Sequence, residues 1–197
     1  MCVAAESPAY EVRYGWNRRS APLAVALIAC CAALLLALVV ELVENQLSAG
    51  DALAYLLGLV ISGGGGLFVA LQARSRAVAL RVDEKGVLLG GIPPRYRSTT
   101  AFVPWSEIEA VVLYRYVYPY IGVRRHPGLP PLPGSLGTGR ISRCISHINT
   151  SLVDGVSADV MQSGRAAVCW KLDKERLAGA VARYAPQVEL VDTDAST

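Results

Sequence analysis

The chain has 197 residues, 53% of them hydrophobic and 18% charged, with a formal net charge of +3. Soluble domains carry about 25% charged residues, so this composition excludes intrinsic disorder and is unusual for a wholly soluble protein. The small positive charge gives no sign of nucleic-acid binding, and five cysteines without a CxxC pair give no disulfide framework.

Residues 1–20 read as a cytoplasmic N-terminal tail holding Arg13, Arg18 and Arg19. Residues 21–40 run for 20 positions without a charge, and residues 52–73 for 22 more, Gln72 being their one strongly polar side chain. A helix of about 20 apolar residues, rising about 1.5 Å each, crosses a hydrocarbon core of about 30 Å. Both segments are therefore predicted as transmembrane helices joined by a short extracytoplasmic loop over 41–51. That loop holds Glu41, Glu44 and Asp51 but no Lys or Arg, whereas Arg74, Arg76 and Arg81 follow the second span. The positive-inside rule then puts both termini in the cytoplasm, as expected of a multi-pass protein of the inner or plasma membrane. Three export readings compete with the first span, the third being a cleavable signal peptide. Arg18-Arg19 resembles a twin-arginine signal without its hydrophobic follow-on. Leu27-Ile28-Ala29-Cys30 resembles a lipoprotein box, but ten further apolar residues follow it. A cleavable signal core of about 7–15 residues is shorter than this run.

Gly63-Gly64-Gly65-Gly66 lies inside the second span. Small residues let helices approach closely in lipid, so Gly63 and Gly66, with Leu59, Ser62 and Ala70, are predicted to form a packing face; a hinge is the rival reading. No ionisable residue lies in either span, which counts against a proton relay or ion path.

From Ala77 the pattern changes to short strands. Val78 to Asp83 alternates, Glu84-Lys85-Gly86 turns, and Val87-Leu88-Leu89 returns, which predicts a hairpin. Arg95 to Thr100 is polar, and Ala101-Phe102-Val103 resumes a strand stopped by Pro104. Trp105 to Ile108 reads as a short turn and Ala110 to Tyr118 as a long strand rich in Val and Tyr, continued by Tyr120 to Val123. Gly128 to Gly139 holds four Gly and three Pro and predicts an irregular loop. One or two strands are expected over Ile141 to Leu152, a mixed stretch over Asp154 to Gly164, and a short strand over Ala166 to Trp170. Leu172 to Tyr184 has helical spacing, with Asp173 as its cap and Pro186 past its end. Residues 192–197 complete an acidic tail.

Two motifs carry a resemblance. Val82-Asp83-Glu84-Lys85-Gly86-Val87 is followed by Val103-Pro104-Trp105-Ser106-Glu107-Ile108, and a helix closes the chain near Ala185-Pro186. With the preceding helical hairpin, residues 77–191 resemble the bacterial pleckstrin-homology-like domains of small membrane proteins. The resemblance implies an α+β membrane protein, in which a two-helix transmembrane hairpin precedes a PH-like antiparallel β-barrel or split sheet. About seven short strands would close on themselves, a C-terminal helix would plug one end, and Trp105 would be a buried structural anchor.

Catalytic signatures are sparse. GxSxG, GxxxxGK[ST], HExxH and GxGxxG in a strand–helix context do not occur. His126 and His147 are the two histidines; Cys144 and His147 have i, i+3 spacing, but no second pair completes a metal site. No cofactor or metal is expected. The more pointed feature is basic: Arg95, Arg97, Arg115, Arg124, Arg125, Arg140 and Arg143 are opposed between 95 and 143 by Glu107 and Glu109 alone, with tyrosines interleaved. Beside an anionic inner leaflet each such base contributes about 1 kcal/mol of attraction; the rival reading is a solvated sheet face. The leading expectation is a non-enzymatic membrane protein that binds a protein partner or the adjacent bilayer surface. Self-association through the glycine-rich span, giving a homo-oligomer, is the second expectation. An enzyme using a pocket that joins His126 or His147 to a carboxylate is the third.

Overall fold

The computed structural model describes residues 10–92, 95–134 and 156–193. Helix α1 spans Ser20–Val43 and helix α2 spans Ala49–Ser75, with 24 and 27 residues. Each exceeds the length that a bilayer core demands. Val25, Leu36, Val43, Leu56, Ile61 and Leu67 leave the outer faces apolar and exposed. Both helices run on past their apolar stretches, so the link between them is shorter than the expected 41–51 loop. Ser48 opens α2 by accepting from Asp51 N at 3.2 Å, and Tyr55 Oη donates to Glu41 Oε1 at 2.7 Å across the turn.

The glycines explain how closely these helices approach. A Cβ on Gly63 would lie 3.3 Å from Cys31 Sγ, and one on Gly66 would lie 3.4 Å from Leu27 Cβ. Gly64 points to open space. The predicted packing face is thus filled by α1 of the same chain. Gly66→Leu should force the hairpin apart at a cost of about 1–3 kcal/mol, the usual penalty for overpacking. The check is a lower unfolding temperature in detergent with an unchanged mass by light scattering; a change of oligomer without loss of stability would favour contact between copies instead.

Among the described residues, eight strands build two sheets. In the first, β1 (Tyr10–Arg13), β2 (Val78–Val82), β3 (Gly86–Leu89) and β4 (Ala101–Pro104) are antiparallel neighbours in chain order. The hairpin between β2 and β3 explains the Asp83–Gly86 motif. Asp83 Oδ1 accepts from Lys85 N at 2.9 Å and Gly86 N at 3.2 Å, and a Cβ on Gly86 would stand 2.2 Å from Val103 O. In the second sheet, the order is β7 (Arg165–Ala166), β6 (Pro119–Arg125), β5 (Ile108–Arg115) and β8 (Glu189–Asp192). The pairs are antiparallel except that β8 runs parallel to β5.

Three short helices complete the described residues besides the 3₁₀ turn at Trp105–Glu107: α3 (Tyr96–Thr99), α4 (Ala158–Ser163) and α5 (Lys174–Tyr184). Asp173 caps α5, its Oδ1 accepting from Arg176 N at 3.1 Å, and Leu177 and Val181 point from α5 into the core. That core joins Val87 and Val103 of the first sheet to Val111 and Ile121 of the second. Trp105 is buried at its edge and donates from Nε1 to Asp83 O at 2.8 Å. A second cluster covers the other face of the second sheet, where Val156 and Val160 meet Ala110, Val112 and Tyr114.

Several elements differ from expectation. The described sheets do not close into a barrel. Both edges of β5 are taken, by β6 and β8, so β4 has no edge to join beyond the Trp105 turn. Tyr10–Arg13 is a strand rather than part of a free tail, and Glu189–Asp192 is a further strand that runs into the expected acidic tail. The expected strand Ala166 to Trp170 shrinks to Arg165–Ala166, because the backbone beyond it turns to bond Pro119 O and Gly15 N. Asp154 to Gly164 contains α4. The long strand stops at Arg115, so Tyr114 is buried against Tyr120, with ring centroids 5.1 Å apart, while Tyr116 sits on the exposed turn. The strands expected over Ile141 to Leu152, and Arg140, Arg143, Cys144 and His147, lie outside the described residues.

Helices and sheets share one core. Ala24, Val69 and Ala73 from the hairpin belong to the same cluster as Tyr10, Tyr14, Cys169 and Trp170. Tyr14 N donates to Ala77 O at 2.9 Å and Gly15 N to Cys169 O at 2.7 Å. The domain is therefore packed onto the base of the hairpin. Cys169 is fully buried, its Sγ lies 3.7 Å from Val69 O, and burial pushes its thiol up. Alkylation at neutral pH should leave Cys169 unmodified until the protein unfolds, which peptide mapping by mass spectrometry would check.

Candidate functional site

A groove of about 700 Å³ opens where the domain meets the start of α1. Three stretches distant in sequence build it. The first is Asn17-Arg18-Arg19, fixed by a local cap: Asn17 Oδ1 accepts from Arg19 N and Ser20 N, both at 2.8 Å. The second is the end of the β5–β6 hairpin, Arg115 and Pro119. The third is Ala167 with Trp170 to Leu172 and Lys174, running from β7 into α5.

Hydrogen bonds lock the three together. Asn17 Nδ2 donates to Val168 O at 2.9 Å, and Ala167 N donates to Pro119 O at 2.8 Å. Trp170 is buried beneath the groove and donates from Nε1 to Ala166 O at 3.0 Å. Among the described residues, five bases line the groove, namely Arg18, Arg19, Arg115, Lys171 and Lys174, and no acid does. All five are exposed. Asp192 lies beside one end and accepts from Lys174 Nζ at 2.7 Å. A concave wall of one charge sign focuses its potential and favours an anionic ligand. Arginine forks fit phosphate oxygens bidentately, and lysines add compact charges.

The sequence-derived basic stretch does not assemble as a unit. Of its described members, only Arg115 reaches the groove. Arg95 precedes α3 and Arg97 lies within it, both exposed. Arg125 pairs with Glu107 at 3.4 Å and donates to Pro130 O; Arg124 is its half-buried neighbour on β6. The other groove bases were hidden by their dispersion: Arg18 and Arg19 carried a topological meaning, and Lys171 and Lys174 flank a helix start. The signal available was a base cluster at each end of the domain, without the fold that joins them.

His126 does have carboxylate company. Its Nδ1 lies 3.0 Å from Glu109 Oε1, and a smaller groove of about 280 Å³ beside it includes Arg125, Asp159 and Ser163. The pair is exposed, and the Ser163 hydroxyl is directed at the carbonyls of Val160 and Val123, at 3.1 and 3.4 Å. That arrangement gives a hydrogen-bonded pair at the end of the β5–β6 ladder without a hydroxyl presented to the histidine. Among the described residues, no group of three or more His, Cys, Asp or Glu is placed to hold a metal ion.

No family model matches the chain, and no curated protein or solved structure does.

Proposed function

We propose that this is a non-enzymatic integral membrane protein. Its β domain is held rigidly at the cytoplasmic face, and its basic groove binds the anionic phospholipid headgroups of the bilayer that the hairpin spans. The observation that carries this reading is the groove itself: its described lining has five bases and no acid, beside the first turn of a helix long and apolar enough to cross that bilayer. Arg74 and Arg76 at the base of α2, beside Trp16, extend the basic collar and support the inside orientation. Strand order supports the pleckstrin-homology-like reading. Four antiparallel strands, then three, then a helix follow in sequence, with the helical hairpin replacing the link between the first two strands and β8 added after the helix.

The test is calorimetric titration of the full chain in neutral detergent with short-chain phosphatidylglycerol, phosphatidylcholine or inorganic phosphate. Saturable binding is expected for phosphatidylglycerol, weaker binding for phosphatidylcholine, and weakening with added salt. At about 1 kcal/mol per base near the surface, the triple variant Arg18→Gln, Arg19→Gln, Lys171→Gln should lose roughly 100-fold in affinity. Equal binding of both lipids, or an unaffected triple variant, would contradict the reading. Phosphate binding as tight as the lipid would assign the groove to a soluble anion.

A further inference from the structure

The β5–β6 hairpin ends in a three-residue tip, Tyr116-Val117-Tyr118, between the paired residues Arg115 and Pro119. The tip is rich in apolar surface: Val117 is 68% exposed and Tyr116 49%, with Tyr118 half-buried beside them. β-Branched and aromatic side chains on an exposed turn need a cover or a reason. The position of the tip supplies one. Arg115 and Pro119 line the same groove as Asn17, Arg18 and Arg19, the residues that lead into α1. The link is rigid: Pro119 O accepts from Ala167 N at 2.8 Å, and the neighbouring Val168 O accepts from Asn17 Nδ2 at 2.9 Å. At the hairpin base, Trp16, 55% exposed, stands beside Arg74 and Arg76. Aromatic residues interleaved with bases are the side chains that settle at the boundary between headgroups and acyl chains.

We infer that Tyr116, Val117 and Tyr118 form a third point of membrane contact, a hairpin tip inserted at the interface of the bilayer that α1 and α2 span. This rests on the membrane reading proposed above and adds to it a surface that the helices and the basic groove do not use. The occupant is lipid rather than a protein, because the tip is continuous with the basic collar where the chain enters the apolar phase. Arg115, at its foot, would meet phosphates while Val117 and Tyr116 enter beyond them. With its position set by the domain–helix packing, the tip would brace the groove at one angle to the membrane.

The test is site-specific photocrosslinking of the full chain in vesicles of phosphatidylglycerol and phosphatidylcholine. p-Benzoylphenylalanine is placed singly at position 36 in α1, at the tip position 117, and at position 109, about 20 Å along β5 from Arg115. Positions 36, 109 and 117 are all exposed. Lipid adducts read by mass spectrometry are expected at 36 and 117, several-fold above those at 109. Adducts at 36 without adducts at 117, equal adducts at 109 and 117, or a crosslink from 117 to a second copy would overturn the inference and leave the membrane reading standing. Absence of adducts at 36 would overturn both. Protease resistance of each labelled protein, matched to the wild type, confirms that the fold is intact.

Discussion

Replacing Arg165 with Met is expected to cost about 3–5 kcal/mol, a large share of the stability of an ordinary domain. Arg165 is only 4% exposed and begins β7. Its partners are all main-chain carbonyls. Nε donates to Gly90 O at 3.2 Å, Nη2 to Pro133 O and Thr99 O at 2.9 and 3.0 Å, and Nη1 to Ser163 O at 3.2 Å. One side chain thereby ties the end of β3, the end of α3, the loop before residue 134 and the end of α4 to the second sheet. Burial pulls its guanidinium below its usual pKa, with no carboxylate among its hydrogen-bond partners. The carbonyls satisfy the donors in place of water. Removing the guanidinium leaves buried carbonyls without those donors, at about 1–3 kcal/mol for each that stays dry. Arg165→Lys should recover a minor part, because an ammonium has three donors on a point charge and no planar fork. Thermal unfolding in detergent, followed by tryptophan fluorescence, would check this ranking. A Met variant within about 0.5 kcal/mol of wild type, the range of an ordinary surface change, would contradict it.

Tyr14→Ala is expected to be comparably severe, about 3–5 kcal/mol, the range for deleting a buried aromatic ring. Tyr14 lies between β1 and α1, 4% exposed, where hairpin and domain share their core. Its Oη donates to Gly91 O at 3.2 Å. Tyr14→Phe keeps the ring and loses only the hydroxyl, so about 1 kcal/mol is expected. The phenol adds a pH dependence. Burial pushes it up to about 12 from 10.0. The unfolded phenol ionises first, so its contribution is intact below pH 10 and is lost as pH rises from there through about 12. Tyr114 is shifted in the same direction, also chiefly by burial. Alkaline unfolding curves should therefore be shallower in Tyr14→Phe than in wild type.

Local chemistry was legible in the sequence. The two long apolar helices, the Asp83–Gly86 turn, the Trp105 turn and the Asp173 cap each follow from a few adjacent residues. Long-range partners were not. A four-residue strand such as Tyr10–Arg13 has no periodic signature to set it apart from a tail, and it becomes a strand only because β2 offers an edge across the inserted hairpin. β8 is similarly a consequence of the free edge of β5. Arg165 has no local signal that marks it as buried; its burial depends on carbonyls from four separate stretches. The basic groove illustrates the same limit. Counting charges along the chain grouped Arg115 with Arg95, Arg97, Arg124 and Arg125, whereas folding groups it with Arg18, Arg19, Lys171 and Lys174. The tyrosine run divided at a turn that period two could not reveal, sending Tyr114 into the core and Tyr116 to the surface.

The groove is the centre of the functional account, and lipid retention tests it most directly. The full chain, released from micelles holding phosphatidylglycerol and phosphatidylcholine in equal amounts, is weighed intact by native mass spectrometry beside the variant with Arg18→Gln, Arg19→Gln and Lys171→Gln. The account predicts that the wild type keeps phosphatidylglycerol selectively and that the variant loses the selectivity while keeping its fold and oligomeric state. Equal retention of the two lipids by the wild type, or the same selectivity in the folded variant, would contradict it.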